Sequence, residues 1–288
     1  MSLRENHGLD FLFFSDCIPS GFAPNAIVYP STLKDICKLA SNALGTPVYI
    51  SSAKKLCDLR PIYGEIFRKY LTGYDFWGYG DIDVIYGNLT KYLEQAQFSR
   101  ADIISFRKGW LSGSLTLCRN APHVISLFRK SPYWQDILRN PDCILYDELG
   151  GMFYRERLDG VPLERINAKY GSFSALVGEA ENKSEIRVFR NDWACEHLHI
   201  GQRLIRNRRK LYDTRTEQEW AYYHMVIDKR RFFQCDISKM PSGCFYITAT
   251  GLYNEDDFSS WRYPLISAQR YSLGLFKMAK RKLQYRLK

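Results

Sequence analysis

Over its first 160 residues the chain alternates short apolar runs with apolar stripes of helical period, and this alternation restricts the fold more than any other feature. Residues 11–14, FLFF, form a run of buried-strand type, and residues 27–29 read as a second strand that Pro30 stops. Ser31 then caps a helix whose apolar side carries Leu33, Ile36, Cys37, Leu39 and Ala40. A further helix is expected from residue 61 to about 70. Pro61 suits its first turn, and Ile62, Ile66, Phe67 and Tyr70 make its stripe. The segment WGYGDIDVIYGN at 77–88 flexes at its glycines and leads into a strand over 82–86, after which Asn88 caps a short helix through Tyr92. Strands over 102–106 and 114–118 follow. Helix is expected over most of 122–138, broken at Pro132, and again from 149 to about 157. After residue 180 the texture changes to short strands at 186–189, 220–226 and 244–249 between basic or polar turns. The pattern predicts an α/β domain over 1–265 with a β-rich C-terminal part.

The remaining stretch, 266–288, is expected to be a basic amphipathic helix. Its last part carries Lys277, Lys280, Arg281, Lys282, Arg286 and Lys288 with no acid, interleaved with Leu275, Phe276, Met278, Leu283 and Leu287. Such a helix can lie on an anionic membrane surface, or pack one side on the domain and leave the other solvated. The net charge of +10, from 41 Lys+Arg against 31 Asp+Glu, favours anionic partners without choosing among nucleotide diphosphates, lipid and nucleic acid. Arg203, Arg206, Arg208, Arg209 and Lys210 motivate a second reading, a noncatalytic basic binding protein, but no motif that reads RNA or DNA accompanies them. Arg4, Glu5, Asp10 and Asp16 interrupt any signal-peptide core, and no apolar stretch approaches the roughly 18 residues of a membrane span. The eight cysteines are scattered with no C-x-x-C pair, which fits a reducing cytoplasm. The expected location is cytoplasmic, with peripheral contact at the inner face of the membrane.

Asp81-Ile82-Asp83 carries the chemistry. Two carboxylates separated by one residue at a strand end can converge on a divalent ion that grips a sugar-nucleotide pyrophosphate. The ion then neutralises charge on the departing diphosphate. The spacing alone says little, since a chain of this aspartate content contains about one such pair by chance. Its Gly-x-Gly approach and strand context add weight. Aromatics make up 15% of the chain, a composition that suits packing on sugar rings and nucleobases and equally suits a core. Cys195, His197 and His199 alternate, but match no zinc spacing and read as structural.

The whole run KLCDLRPIYGEIFRKYLTGYDFWGYGDIDVIYGN, residues 55–88, closely resembles a family of bacterial glycosyltransferase-like proteins known mainly from polysaccharide gene clusters. Many of its members carry only a domain of unknown function, and their shared block reads like YKLCDLKPAYGEIF…DFWGYGDLDVIFG. Residues 112–120 look like that family's G-h-x-x-L-Y-R-N strand and turn. Tyr146-Asp147-Glu148 resembles its F-D-E, and Tyr222-Tyr223-His224 with Lys229 resembles its Y-x-H-F-x-K. The resemblance runs from about residue 9 to 250 and is weak between 155 and 215.

The resemblance implies a GT-A-like nucleotide-diphospho-sugar transferase fold with a mixed, mostly parallel sheet and flanking helices. It also implies a glycosyltransferase that uses Mn²⁺ or Mg²⁺ to move a sugar from a nucleotide-sugar, a UDP-sugar first, to a saccharide or lipid-linked saccharide acceptor in cell-surface polysaccharide synthesis, with no nucleic-acid partner. Carried over, Asp81 and Asp83 are the metal and ribose ligands and His224 the third protein ligand to the metal. Lys229 sits by the diphosphate, and Lys55 and Asp58 shape the nucleotide pocket. Asp147 or Glu148 faces the acceptor hydroxyl, as general base in an inverting reaction or near the reacting carbon in a retaining one. Plainer readings stand beside these: His224 as a satisfied histidine on a half-buried strand, Asp147-Glu148 as a helix cap, Lys55 and Asp58 as an exposed ion pair, Gly78 and Gly80 as backbone geometry. Family members open on an earlier strand and turn resembling IIPYFGKLP, which would precede Met1. Its loss implies weak donor affinity or none, or an inactive descendant of the enzyme.

Overall fold

Two of the expected strands open the fold. In the computed structural model, which describes residues 2–17, 21, 23–199, 201–231, 233, 243–255, 258 and 262–286, β1 (Phe11–Ser15) and β2 (Ala26–Pro30) pair in parallel. Helix α1 (Leu33–Leu44) follows, capped by Thr32 rather than Ser31. The Thr32 hydroxyl accepts from Asp35 N at 3.2 Å while the Asp35 carboxylate accepts from Thr32 N at 2.9 Å, a reciprocal cap that contributes about 1 kcal/mol. The helix expected from residue 61 is instead a series of short helical turns between Ala53 and Tyr70. Pro61 has no N–H with which to continue the turn Leu56–Leu59. Phe67 then leaves the helical region (φ −102°, ψ 16°) and lays its ring on Phe14, centroids 4.3 Å apart.

The glycine-flexed segment is itself a strand, β3 (Phe76–Gly80). A Cβ at Gly78 would lie 2.4 Å from Leu117 Cδ2 and 2.7 Å from Thr116 O, so glycine permits the close approach of the neighbouring strand. The chain turns at residues 81–83 into β4 (Val84–Tyr86), shorter than expected, and Asn88 caps α2 (Leu89–Gln95). Strands β5 (Ile103–Ser105) and β6 (Leu115–Arg119) come next. Residues 122–139 form three short helical pieces, and of the helix expected from 149 to about 157 only Tyr154–Leu158 forms, since Gly150 takes the left-handed φ of 70° and Gly151 follows it. Helix α3 (Phe173–Asn182), capped by Ser172, was not expected. The later strands are β7 (Val188–Arg190), β8 (Ala194–Cys195), β9 (Arg203–Asn207), β10 (Lys210–Asp213), β11 (Tyr222–His224), β12 (Phe245–Thr248) and β13 (Gly251–Tyr253), and α4 (Arg262–Arg286) closes the described chain.

The architecture is mixed α/β with several small sheets, in the orders β1-β2, β3-β6-β5-β7, β4-β11-β8 and β10-β9-β12-β13. The mostly parallel sheet is corrected. Among the described strands only β1–β2, β5–β7 and β8–β11 pair in parallel, and the other six pairings are antiparallel. Short links such as the two residues between β9 and β10 leave no room for a crossover, so those pairs must run antiparallel. Side chains alternate across the sheet. Trp77, Tyr79, Ile103 and Cys118 enter one core with α1 and α3, while Ile104 and Leu115 enter a second with Phe106, Tyr222 and α2. A third core, with Leu204, Leu211, Phe245 and Ile247, fills the C-terminal sheet.

Helix α4 begins at Arg262, ahead of the expected 266, and its first turns rest on the β12–β13 turn. Ser267 Oγ lies 3.2 Å from Thr250 Oγ1, and the Tyr263 ring meets Tyr253 at 5.0 Å. Lys277 is exposed, whereas the side chains of Phe276, Lys280, Arg281, Lys282, Leu283 and Arg286, and all of Leu287 and Lys288, lie outside the described residues, as does Cys235. The second basic cluster is not one surface. Arg206 is fully buried, donating to Tyr86 O at 3.1 Å and to Glu5 at 3.1 Å. Among the described residues no helix is long and apolar enough to cross a membrane.

Candidate metal centre

The turn between β3 and β4 presents the two aspartates. Asp81 N–H donates to Ser114 O at 3.2 Å, an extension of the β3–β6 ladder that fixes the start of the turn, and Ile82 stands out at its tip. Antiparallel pairing of β4 with β11 sets His224 opposite Val84, and Met225 N–H donates to Asp83 O at 3.0 Å. Residues far apart in the chain therefore meet by strand register. His224 Nε2 lies 3.3 Å from Asp81 Oδ2 and 3.5 Å from Asp83 Oδ1, and one ligand atom from each of the three residues falls within 4.8 Å of the others. Ligands about 2.1 Å from a shared Mg²⁺- or Mn²⁺-sized ion sit about 3 Å from one another, so this spacing suits such an ion.

The imidazole is the telling group. It is buried, and both ring nitrogens lack a hydrogen-bond partner although carboxylates surround them. Three carboxylates at 3.3–3.9 Å, none aligned for a hydrogen bond, set it apart from a core histidine with one matched partner. Burial alone would push its pKa down, but Asp81, Asp83 and Glu196 outweigh burial and raise it to about 11. The same site thus stabilises positive charge. Burial pushes the carboxyls of Asp81 and Asp83 upward, yet both stay below their ordinary value. His224 and Arg60 hold Asp81 down, and His224 and Lys229 hold Asp83 down. Lys229, on the turn after β11, ion-pairs directly with Asp83.

A second group of charges adjoins the first. Arg60 ion-pairs with Asp81 and donates to Asp147 Oδ2 at 2.8 Å, so one guanidinium ties the strand tip to the 147–148 segment. Asp147 is only 1% exposed on its side chain, and burial pushes its carboxyl up against the pull of Arg60. Glu148 is half-buried, accepts from Gly113 N at 2.8 Å and from the Tyr154 hydroxyl, and is likewise pushed up by burial. Neither residue caps a helix, since the next one starts only at Tyr154. A Cβ on Gly113 would stand 2.7 Å from Arg60 Nη1, 3.0 Å from Asp147 Oδ2 and 3.1 Å from Glu148 Oε1, so the group closes over a glycine.

Lys55 and Asp58 lie apart from this surface, and their assignment to the nucleotide pocket is corrected. Both side chains are fully buried and paired at 2.9 Å. Lys55 also donates to Ile137 O and Asp142 O, and Asp58 accepts from Ile144 N and Tyr146 N. The pair is neither exposed nor open to a ligand; it anchors the segment that delivers Asp147. Of the three residues read as structural, Cys195 is buried, His197 is half-buried with its Nδ1 2.9 Å from the buried Asp228, and His199 is exposed. An open cavity of about 960 Å³ near Asp102, Arg119 and Arg187 is remote from the cluster, and its Arg119 is already paired with Asp102. Sequence reasoning missed Arg60, Gly113, Tyr154, Arg107 and Glu196. Arg60 sits inside the dense 55–88 block, and Glu196 lies between two residues of inward type, which places it on the opposite side of the chain. Gly113 falls in the 112–120 segment that resembles the family's G-h-x-x-L-Y-R-N, and nothing in the sequence marks Tyr154 or Arg107.

The chain belongs to a family of unknown function (DUF6625), which matches residues 1–256. No curated protein and no solved structure matches it.

Proposed function

We propose that this family member is a metal-dependent glycosyltransferase with a GT-A-type fold, moving a sugar from a nucleotide diphosphate onto a saccharide or lipid-linked saccharide acceptor. One observation carries the reading. Two aspartates at a strand tip and a buried histidine without hydrogen-bond partners converge within 4.8 Å. Asp81, Asp83 and His224 would hold Mn²⁺ or Mg²⁺, which supplies Lewis-acid neutralisation of a departing diphosphate. Lys229, beside Asp83, adds a second positive group for the same phosphates. The protein's own contribution is positioning and proton handling. Arg60 fixes Asp81 relative to Asp147, and Asp147, closed to solvent, serves to hold Arg60. Glu148 is the accessible carboxylate of the two. Its raised proton affinity suits a general base, and Gly113 N–H and Tyr154 aim it. In an inverting transfer the acceptor hydroxyl proton passes to Glu148 as the oxygen attacks the anomeric carbon and the diphosphate departs. The basic C-terminal helix suits peripheral contact with an anionic membrane on the cytoplasmic side, where a lipid-linked acceptor would lie.

The test is nucleotide release from a panel of sugar nucleotides, with and without Mn²⁺, for the wild type and Asp83→Ala. Release that needs the metal and is lost in the variant is expected. Metal-independent release, or none from any donor together with steeply salt-dependent DNA binding, would overturn the reading in favour of a basic binding protein.

A further inference from the structure

Glu196 is left unexplained by the centre as described. Parallel pairing of β8 with β11 sets Cys195 beside Tyr223, so the next residue, Glu196, comes alongside His224. Its Oε1 lies 3.9 Å from His224 Nδ1, the nitrogen on the other side of the ring from the Nε2 that faces Asp81 and Asp83. That gap is too long for a hydrogen bond, and Nδ1 is buried with no partner. The carboxylate is not loose. Arg107 ion-pairs with it, and the Arg107 guanidinium stands 4.8 Å over the Trp110 ring, itself buried. A metal-bound imidazole ordinarily donates its second N–H to a carboxylate, which selects the tautomer and fixes the ring plane.

We propose that Glu196 is the positioning residue of this centre: with metal bound, the 3.9 Å gap closes and Glu196 accepts a hydrogen bond from His224 Nδ1–H, which keeps the Nε2 lone pair toward Asp81 and Asp83, while Arg107 stacked on Trp110 holds the carboxylate in place. The inference rests on the metal reading of Asp81, Asp83 and His224. It extends the centre to the segment that follows β8, which carries no ligand.

The experiment is Mn²⁺ titration of the full chain, free ion read by electron paramagnetic resonance, for wild type, Glu196→Ala and Glu196→Gln. It is joined to thermal unfolding without metal and to ¹⁵N imidazole spectra of the Mg²⁺-loaded proteins. Glu196→Ala is expected to raise the Mn²⁺ Kd about 10- to 100-fold, with Glu196→Gln, which keeps an acceptor oxygen, falling between it and wild type. Metal-free melting should change little, and the wild-type spectrum should show His224 protonated at Nδ1 with the signal displaced or mixed in the alanine variant. Should Glu196→Ala not fold, a Glu196→Gln Kd about threefold or more above wild type supports the proposal. Variants that bind Mn²⁺ within about twofold of a wild type that does bind it overturn the role of Glu196 and leave the metal centre standing. A wild type without saturable Mn²⁺ or Mg²⁺ binding overturns both.

Discussion

Replacing Asp83 by Asn separates the part Asp83 plays in the fold from the part it plays in holding a cation. Without metal, Asp83 pairs with Lys229, which is 45% exposed, and lies 3.5 Å from His224. Its carboxyl is held below the ordinary range, so the ionised form supports the folded state at neutral pH and loses that support as pH falls through the folded value. With so exposed a partner the net contribution is about 1 kcal/mol, and Asp83→Asn should lower the metal-free melting temperature by about 2–4 °C. Metal changes the comparison. A ligand at about 100 times its Kd stabilises the native state by about 2.7 kcal/mol, or about 5–11 °C for a chain of this length. If removing one charged ligand weakens binding about 100-fold, the same Mn²⁺ concentration stabilises the variant by only about 0.4 kcal/mol, a shift of about 1–2 °C. Differential scanning fluorimetry with and without Mn²⁺ reads both quantities. Equal Mn²⁺ shifts in the two proteins would mean that any ion sits elsewhere, and the argument from the strand tip would fail.

Three further substitutions or reactions probe the surroundings. Gly113→Ala places a Cβ 2.7 Å from Arg60 Nη1 and about as close to both carboxylates, all of them ends of side chains. Urea unfolding should show a loss of no more than about 1–3 kcal/mol, while turnover falls at least about tenfold because the displaced groups are those that aim the reaction; unchanged turnover would refute the arrangement. Asp58→Ala leaves the Lys55 ammonium buried and unpaired, so urea unfolding should show a loss of about 3–5 kcal/mol, with Mn²⁺ affinity of the folded fraction unchanged. Cys143, half-buried, should react with iodoacetamide at neutral pH ahead of buried Cys195, whose thiol burial pushes up to about 12. Mass spectrometry over a time course gives the order, and equal rates would contradict it.

Local features of the fold were legible where a few neighbouring residues decide them. Phe11–Ser15 and Ala26–Pro30 are apolar runs with a proline stop, and the Asn88 cap needs only its own amide and Lys91 N. The long helix from Pro61 was misread because its breaks depend on distant partners, among them the Phe14 ring that draws Phe67 out of line. β3 was read as flexed backbone since its glycines matter through Leu117 and Thr116, which lie across the ladder and nearly forty residues away. Strand direction was missed for a related reason. Apolar alternation reports that a segment is a strand, not which neighbour it pairs with or in which sense.

The candidate site divides along the same line. Asp81 and Asp83 stand one residue apart and share one turn, so their convergence follows from local geometry, whereas His224 joins them only because β11 pairs with β4 in a particular register. A slip of one residue would turn His224 to the other face and bring Tyr223 toward the aspartates. That dependence makes the register itself part of the chemistry. The ring of Tyr223 now fills the C-terminal core and its hydroxyl bonds the buried Asp228 at 2.7 Å, so the packing that buries Tyr223 also selects the face that His224 presents. Asp228 accepts at the same time from Leu198 N and faces His197 Nδ1, which ties the segment that follows β8 and carries Glu196 to the strand carrying His224. One buried carboxylate thus fixes the relative position of His224 and Glu196 from the side opposite the metal centre. Cys195 packs in the C-terminal core and His197 faces Asp228, whereas Glu196 lies against His224, so the structural reading of the first two and the functional reading of Glu196 follow from one local course of the chain.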